Sequence, residues 1–426
     1  MDISFFIENL HIYLFVSAVI GVLTIFIYIK LVYPFWNLQP VYHPYDIWWY
    51  FLKEPFIVYS KFKHIQTRYC DLFNIDFYEY TDLNESQINE AVNLLQCYYY
   101  PFETTLFMFN KETFSSYLIG HERISYISFY REKMLQSVLR DNPPIIGMIT
   151  SQSYKMIHPY TNYHEIANGG DVETGPLTHY PNSLSVYYID FICVNKHYSV
   201  KDISRKLLET HCYRQKKVQN EILVSIFRKD GELYSGIVPF IEFTMTGYLI
   251  PVSFSLGNSF PPNFLLTRID NTNFYLLRDI FEHAVKMFSM FIHSDFSNLL
   301  VLIQKRILYV FVVKKMDDIY ALYIFRDTRL QYESNGIEGS VIELCASIQK
   351  TTMTDLFMKG YYDSVQCICK EMPVFRFLRI TNMAHNQMIL DKNPFMKIPN
   401  MDSMGAYYAY NMILPKQFFA FDSFFV

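Results

Sequence analysis

The sequence predicts a mixed α/β fold carried behind one membrane-length helix, and three observations predict it. The segment Tyr188-Ile189-Asp190-Phe191-Ile192-Cys193-Val194-Asn195-Lys196 reads as a buried strand. It runs straight into an amphipathic helix, Lys201 to Lys217, with Ile203, Leu207, Leu208 and Cys212 on one side. The second half of the chain loosely repeats this alternation. Finally, Ile12 to Ile29 is an uncharged stretch of eighteen residues rich in Val, Ile, Leu and Phe.

That uncharged stretch would span about 27 Å as a helix, close to the hydrocarbon thickness of a bilayer. A signal peptide fits poorly, because Asp2 and Glu8 stand where Lys or Arg would be needed and no small-residue cleavage site follows. A buried core helix is the competing reading. Lys30 follows at once, with Lys53, Lys61 and Lys63 beyond, so a spanning helix would leave the rest of the chain in the cytosol. The seven scattered cysteines, Cys70, Cys97, Cys193, Cys212, Cys345, Cys367 and Cys369, read as reduced thiols in such a compartment. Only Cys367 and Cys369 are close, with no second pair at zinc spacing, so no metal site is expected.

The 426 residues suffice for two sizeable cores. Aromatics at 18% and hydrophobics at 51% exclude a disordered chain. A net charge of −4 without a Lys/Arg block gives no footprint for nucleic acid. The 36 Tyr and 38 Phe fit codon bias in an AT-rich genome, such as that of a large DNA virus.

After the spanning stretch, Ser86–Gln96 reads as a helix behind the turn-like Thr81-Asp82-Leu83-Asn84, and residues 145–150 as a strand. Residues 158–182, rich in His, Asn, Gly, Thr and Pro, read as a long loop. Ile222–Phe227 follows as a strand. In the second half, Asn273–Ser289 is helical in pattern. Ile307–Val313 and Ile319–Phe325 form a hairpin across Lys314-Lys315-Met316-Asp317-Asp318. Thr354–Cys369 reads as a helix and Val374–Ile380 as a strand.

Four short segments, in order, resemble the N-myristoyltransferases. Tyr33-Pro34-Phe35-Trp36-Asn37-Leu38-Gln39-Pro40-Val41 is similar to that family's Tyr-x-Phe-Trp-x-Thr-Gln-Pro-Val. Ile146-Gly147-Met148-Ile149 matches Val-Gly-Phe-Ile, and Ile189–Lys196 resembles the acyl-CoA-binding Ile-Asn-Phe-Leu-Cys-Val-His-Lys. Tyr407-Tyr408-Ala409-Tyr410-Asn411 resembles Tyr-Tyr-Leu-Tyr-Asn. The resemblance covers about residues 33–426. It implies two fused GNAT-like acyltransferase halves with mixed sheets. Residues 1–32 would be the anchor, 33–255 an acyl-CoA-binding half and 256–426 a peptide-binding half.

It also implies an activity: transfer of a myristoyl-type chain from acyl-CoA to an N-terminal glycine, with acyl-CoA a co-substrate and no resident cofactor. The backbone amides of Phe191 and Ile192 would form the oxyanion hole, with Cys193 and Val194 lining the acyl-CoA site beside them. Pro34, Phe35 and Trp36 would pack on the CoA moiety, or else only pack the chain where it leaves the membrane. The base would be the main-chain carboxylate at Val426, drawn into the site by the apolar run Phe418–Val426. Asp190, where the family has Asn, would hold the ammonium or act as a second base, or else satisfy neighbouring amides.

Several positions depart from the family. Its Arg-Ser-Lys-Arg-x-Ala phosphate stretch falls on Ser199-Val200-Lys201-Asp202-Ile203-Ser204, where only Lys201 keeps a positive charge. Ser199-x-x-Asp202 matches a helix-capping pattern, whose side chains would occupy the free amides. The peptide-contacting acidic and aromatic segments correspond to Phe102-Glu103-Thr104-Thr105 and Phe107-Met108-Phe109-Asn110-Lys111, with fewer acids and with Lys111 in place of Tyr. No counterpart of the family's Tyr-Trp-His lies between Gly236 and Tyr248, and an expected aspartate is Asn382. Two functions therefore stand side by side. One is an active acyltransferase meeting an N-terminal glycine peptide. The other is a membrane-anchored relative that has lost catalysis and binds protein partners, for example in a virus particle.

Overall fold

A computed structural model describes residues 10–46, 51, 55–59, 66–100, 105–133, 143–158, 183–252, 254, 260–350 and 352–426. The expected loop 158–182 (apart from His158), Lys53, Lys61, Lys63 and Phe102 to Thr104 lie outside these.

Helix α1, Leu10–Val32, stands apart from the body, and every side chain described from Ile12 to Gly21 and beyond to Val32 is exposed or nearly so. The core-helix alternative is thereby removed. Helix α2, Glu85–Tyr98, begins with a capping box: the Asn84 side chain accepts from Gln87 N–H and the Gln87 side chain accepts from Asn84 N–H. Helix α3 is Lys111–Leu118 and α4 is Val200–Val218, which buries Ile203, Leu207, Leu208 and Cys212 as its apolar stripe predicts. In the second half come α5 Tyr275–Ala284, α6 Phe296–Gln304, α7 Thr354–Glu371 and α8 Asn386–Lys392.

The strands that build the site are β1 Ile75–Glu79, β2 Tyr126–Tyr130, β3 Gly147–Ile157, β4 Ser183–Val194, β5 Ser225–Asp230 and β6 Ile241–Leu249. The second half adds β7 Met290–Ser294, β8 Leu308–Lys315, β9 Asp318–Ser334, β10 Ile337–Gln349, β11 Phe375–Thr381, β12 Ser403–Tyr410 and β13 Ser423–Phe425. The expected hairpin is β8–β9, closed by Met316, whose φ of 53° suits a two-residue turn.

Among the described residues one hydrogen-bonded sheet runs through both halves. Strands β1 to β4 are antiparallel neighbours in order, and β4 then meets β5 in parallel. From β5 the order passes to β12, β6, β11, β10, β9 and β8. Strand β12 comes from near the end of the chain, yet lies between β5 and β6. Two strands that precede residue 255 are thus stitched to one that follows it. A second seam joins β3 to β7, and β7 to the terminal β13 in parallel.

Helix α4 covers the β3–β4 face at close range. A Cβ on Gly147 would sit 3.0 Å from Leu207 Cδ1 and 3.2 Å from Val194, so glycine is what lets helix and strand approach. On the other side of the sheet, Phe191 lies among Tyr99, Phe109, Phe114 and Tyr117, with ring centroids 5.3–5.9 Å apart.

Candidate active site

Strand β4 does not stay paired along its length. It bonds β5 only over Tyr187–Ile189, and beyond Ile189 the two strands part. On its other edge, the register with β3 breaks between Met148 and Thr150. There, Phe191 and Ile192 stand against the single residue Ile149, a bulge that re-aims the backbone. Phe191 takes the left-handed φ of 48°, uncommon for an aromatic residue and a sign that the surroundings impose it. The expected splay at Asp190–Val194 is therefore present.

Asp190 sits at the splay. Its Oδ1 accepts from Phe191 N–H at 2.8 Å and from the Tyr99 hydroxyl at 3.3 Å. Burial pushes its carboxyl above the usual carboxylate range, against the pull of the Phe191 amide and of Arg326. One amide of the expected oxyanion hole is thus bonded to the protein's own carboxyl.

The end of the chain reaches the same place. Strand β13 pairs with β7, and Val426 N–H donates to Ile292 O at 3.0 Å while a main-chain oxygen of Val426 accepts from Ser294 N–H at 2.9 Å. Phe424 stacks on Phe291 at 4.4 Å, and Phe425 on Tyr407 at 4.2 Å. These two rings pull the end inward. Phe419 and Phe421, earlier in the same apolar run, stay exposed and stack on each other.

Asp190 and Val426 line one cavity of about 40 Å³, together with Tyr117, Tyr154, Tyr188, Arg228, Arg326, Glu343 and Cys345. About three water molecules would fill it. Its floor is an ion cluster that sequence reading missed. Fully buried Glu343 takes Arg326 Nη2 and Arg379 Nη2 on one oxygen, both at 2.8 Å, with Arg228 3.7 Å from the other. Arg228 also grips Asp230 with two bonds, at 2.6 and 3.0 Å. Burial alone would raise the Glu343 carboxyl, but the three guanidiniums hold it well below its ordinary value. The ladder explains the arrangement: Glu343 on β10 lies directly opposite Arg326 on β9 and Arg379 on β11. A signal did exist. Glu343 and Arg379 each interrupt an apolar run, Ile342-Glu343-Leu344 and Leu378-Arg379-Ile380, and Arg326 ends one after Phe325.

The other predicted residues lie around this centre. Cys193 is buried with its thiol 3.6 Å from Leu94 O, and burial pushes it up to about 12, which leaves it an inert packing group. Val194 packs under α4 with Ile203 and Leu207. Phe35 is fully buried in that cluster, with the Arg205 guanidinium 5.8 Å above its ring. Trp36 lies flat against Phe227 of β5 at 6.2 Å and edge-on to Phe35 at 4.8 Å, on the β5 side of the splay. Pro34 is half-buried beside them.

At the start of α4 the capping pattern read from the sequence does not form. Ser199 Oγ donates to Asp202 Oδ2 at 2.9 Å, and no side chain bonds a helix amide there. Asp202 also lies 3.6 Å from Arg205. The acid finds an arginine one turn on, and the hydroxyl bonds the carboxylate in place of a helix amide. Lys201 is exposed and Ser204 half-buried. Asn382 is structural, its side-chain oxygen accepting from Thr244 N–H at 2.8 Å. Lys111 opens α3 and pairs with Glu85. No group of metal-binding side chains occurs among the described residues.

The chain has the fold of an N-myristoyltransferase. The Saccharomyces cerevisiae enzyme with bound myristoyl-CoA superposes with TM-score 0.64 at 13% identity, covering 91% of this chain and 94% of that one. A second structure of the yeast enzyme with myristoyl-CoA gives 0.65 at 13% identity over 91% and 89%. A third, with myristoyl-CoA and inhibitors, gives 0.64 over 92% and 93%. No family model and no curated relative matches the sequence. The expected mixed α/β class, with one N-terminal apolar helix, holds.

Proposed function

We propose that the protein is an acyl-CoA-dependent acyltransferase of the N-myristoyltransferase type, transferring a myristoyl-type chain to an amine. The observation that carries this reading is the meeting of Val426 and Asp190 in one cavity beside the β4 bulge. The acyl thioester would lie along the splay, its oxygen facing the Ile192 amide and, once Asp190 releases it, the Phe191 amide. The Val426 carboxylate, held by Ser294 N–H, would take the proton from the acceptor ammonium. Binding at the anionic end of CoA would rest on the open amides of α4 and on Lys201. Helix α1 would cross a bilayer and leave the body on the cytosolic side, with residues 33–255 holding the donor and 256–426 the acceptor.

A second reading has observations of its own. Asp190 occupies the Phe191 amide, and Asp202 stands where a pyrophosphate would need positive charge. These favour a membrane-anchored relative that keeps the fold and binds protein partners without catalysis. Titration calorimetry with myristoyl-CoA separates the two: binding at micromolar concentration or tighter supports the enzyme, and no heat at high protein concentration supports the scaffold. Intact mass must also show that the mature chain ends at Val426, since any extension would remove the base.

A further inference from the structure

The ion cluster under the cavity does not balance. Arg228, Arg326 and Arg379 bring three positive charges against the two carboxylates of Glu343 and Asp230. Among the described residues no lysine, arginine or histidine lies within ion-pair distance of the Val426 carboxylate, and none within that distance of Asp190, so neither acid closes the account by contact. Both acids instead line the cavity from the β4 and β13 side, while Arg228 and Arg326 line it from the β5 and β9 side. Arg326 engages Glu343 through Nη2 alone, and its side chain keeps 30% of its surface open. A guanidinium that pairs through one nitrogen and keeps the rest of its fork open is a natural partner for a ligand carboxylate.

We infer that the acceptor is a small free amino acid, its ammonium directed at the Val426 and Asp190 carboxyls and its carboxylate at Arg326. This names the acceptor class of the proposed acyltransferase and rests on that reading. A cavity of about 40 Å³ suits a group of glycine or alanine size, whereas a peptide would place a neutral amide against the guanidinium. Tyr188 and Tyr154 wall the cavity, and burial keeps both hydroxyls protonated, so they offer hydrogen bonds without charge. In the reaction the ammonium passes a proton to the Val426 carboxylate and the freed nitrogen attacks the thioester carbonyl carbon. As the tetrahedral adduct collapses, the carbon–sulfur bond breaks, and the leaving thiolate takes the second nitrogen proton. The products are an N-acyl amino acid, free CoA and one proton returned to solvent.

The test uses the full chain in detergent. Binding of glycine, alanine, glycinamide and the peptide Gly-Ala-Ala is measured by calorimetry, with and without a non-hydrolysable myristoyl-CoA thioether. Glycine should bind at least tenfold tighter than glycinamide, and Arg326→Gln should erase that preference. Arg326→Lys keeps the charge and should retain part of it, which covers the case in which the Gln variant unfolds. Equal binding of glycine and glycinamide, tighter binding of the peptide, or no binding of any amine overturns the inference. If the thioether binds while glycine shows no preference, the acyltransferase reading survives alone. If glycine binds selectively and the thioether does not, the amino-acid site stands and the acyltransferase reading falls.

Discussion

The start of α4 and the cavity beside Val426 handle charge differently. At the start of α4 Lys201 and Asp202 are exposed, and Asp202 takes Ser199 and the half-buried Arg205 as partners near the surface. Under the Val426 cavity Glu343 is wholly buried beneath three arginines. An exposed ion pair is worth little, so residues there can drift without loss of the fold. A buried charge that loses its partner is severely penalised, so those residues must change together or not at all. The departures from the family pattern at Ser199–Ser204 and the density of the Glu343 cluster are two outcomes of one rule.

The sharpest way to break this contrast is Glu343→Gln. It leaves three guanidiniums with Asp230 alone and should cost about 3–5 kcal/mol of stability, read as a shift in urea midpoint. An equal loss from Asp202→Ala would erase the distinction drawn here. Next, one glycine added after Val426 moves the carboxylate off Ser294 N–H. Acyl transfer should fall about a hundredfold to ten-thousandfold with acyl-CoA binding unchanged, since removal of a positioned base has that scale.

At the start of α4, if acyl-CoA binds as proposed, Asp202→Arg with Val200→Ser should strengthen its binding. A charge-assisted contact is worth roughly 1.5–3 kcal/mol, or about tenfold to a hundredfold in affinity. Because Ser199 does not cap the helix, little stability should be lost with it. Unchanged binding in a folded double variant would show that another feature closes the groove, and would favour the scaffold.

The smallest effect is a pH slope. His211 is buried between the hydroxyls of Ser128 and Ser151, each 2.8 Å away, and burial lowers it to about 3. The unfolded chain takes up a proton below about 6.5. The folded imidazole resists protonation down to about 3, so this contribution is present above pH 6.5 and declines as pH falls towards 3. The slope should approach 1.4 kcal/mol per pH unit at most, and His211→Gln should flatten it in urea midpoints taken between pH 7 and pH 5.

Elements held by local pattern were legible in the sequence. The β4–α4 junction, the β8–β9 turn and α7 lie within a few residues of their expected bounds, whereas β9 runs on past the expected Phe325 to Ser334. Strands held by distant partners were not. Strand β12 pairs with β5 and β6 from far along the chain, and nothing local in Ser403–Tyr410 records that. In the cavity, Asp190 and Val426 are the two lining residues that the family resemblance singled out, Asp190 as a departure from its Asn. Arg326, Glu343 and Arg379 were passed over because a charge in a strand ordinarily faces water, and only the ladder register makes them neighbours. Ser199 and Asp202 matched a cap by spacing, but the arginine that diverted the acid sits on the following turn.

The Glu343 cluster also bears on how the chain folds. Arg326, Glu343 and Arg379 come from three adjacent strands of the later half, while Arg228 and Asp230 arrive from β5. Before β5 docks along β12, the later half holds two guanidiniums on one carboxylate with an open flank, a state that water must solvate. Docking brings a third cation together with its own anion and seals the flank in one event. Partly assembled forms are therefore disfavoured, and unfolding should be a single cooperative transition in which fragments cut near residue 255 cannot hold their structure apart.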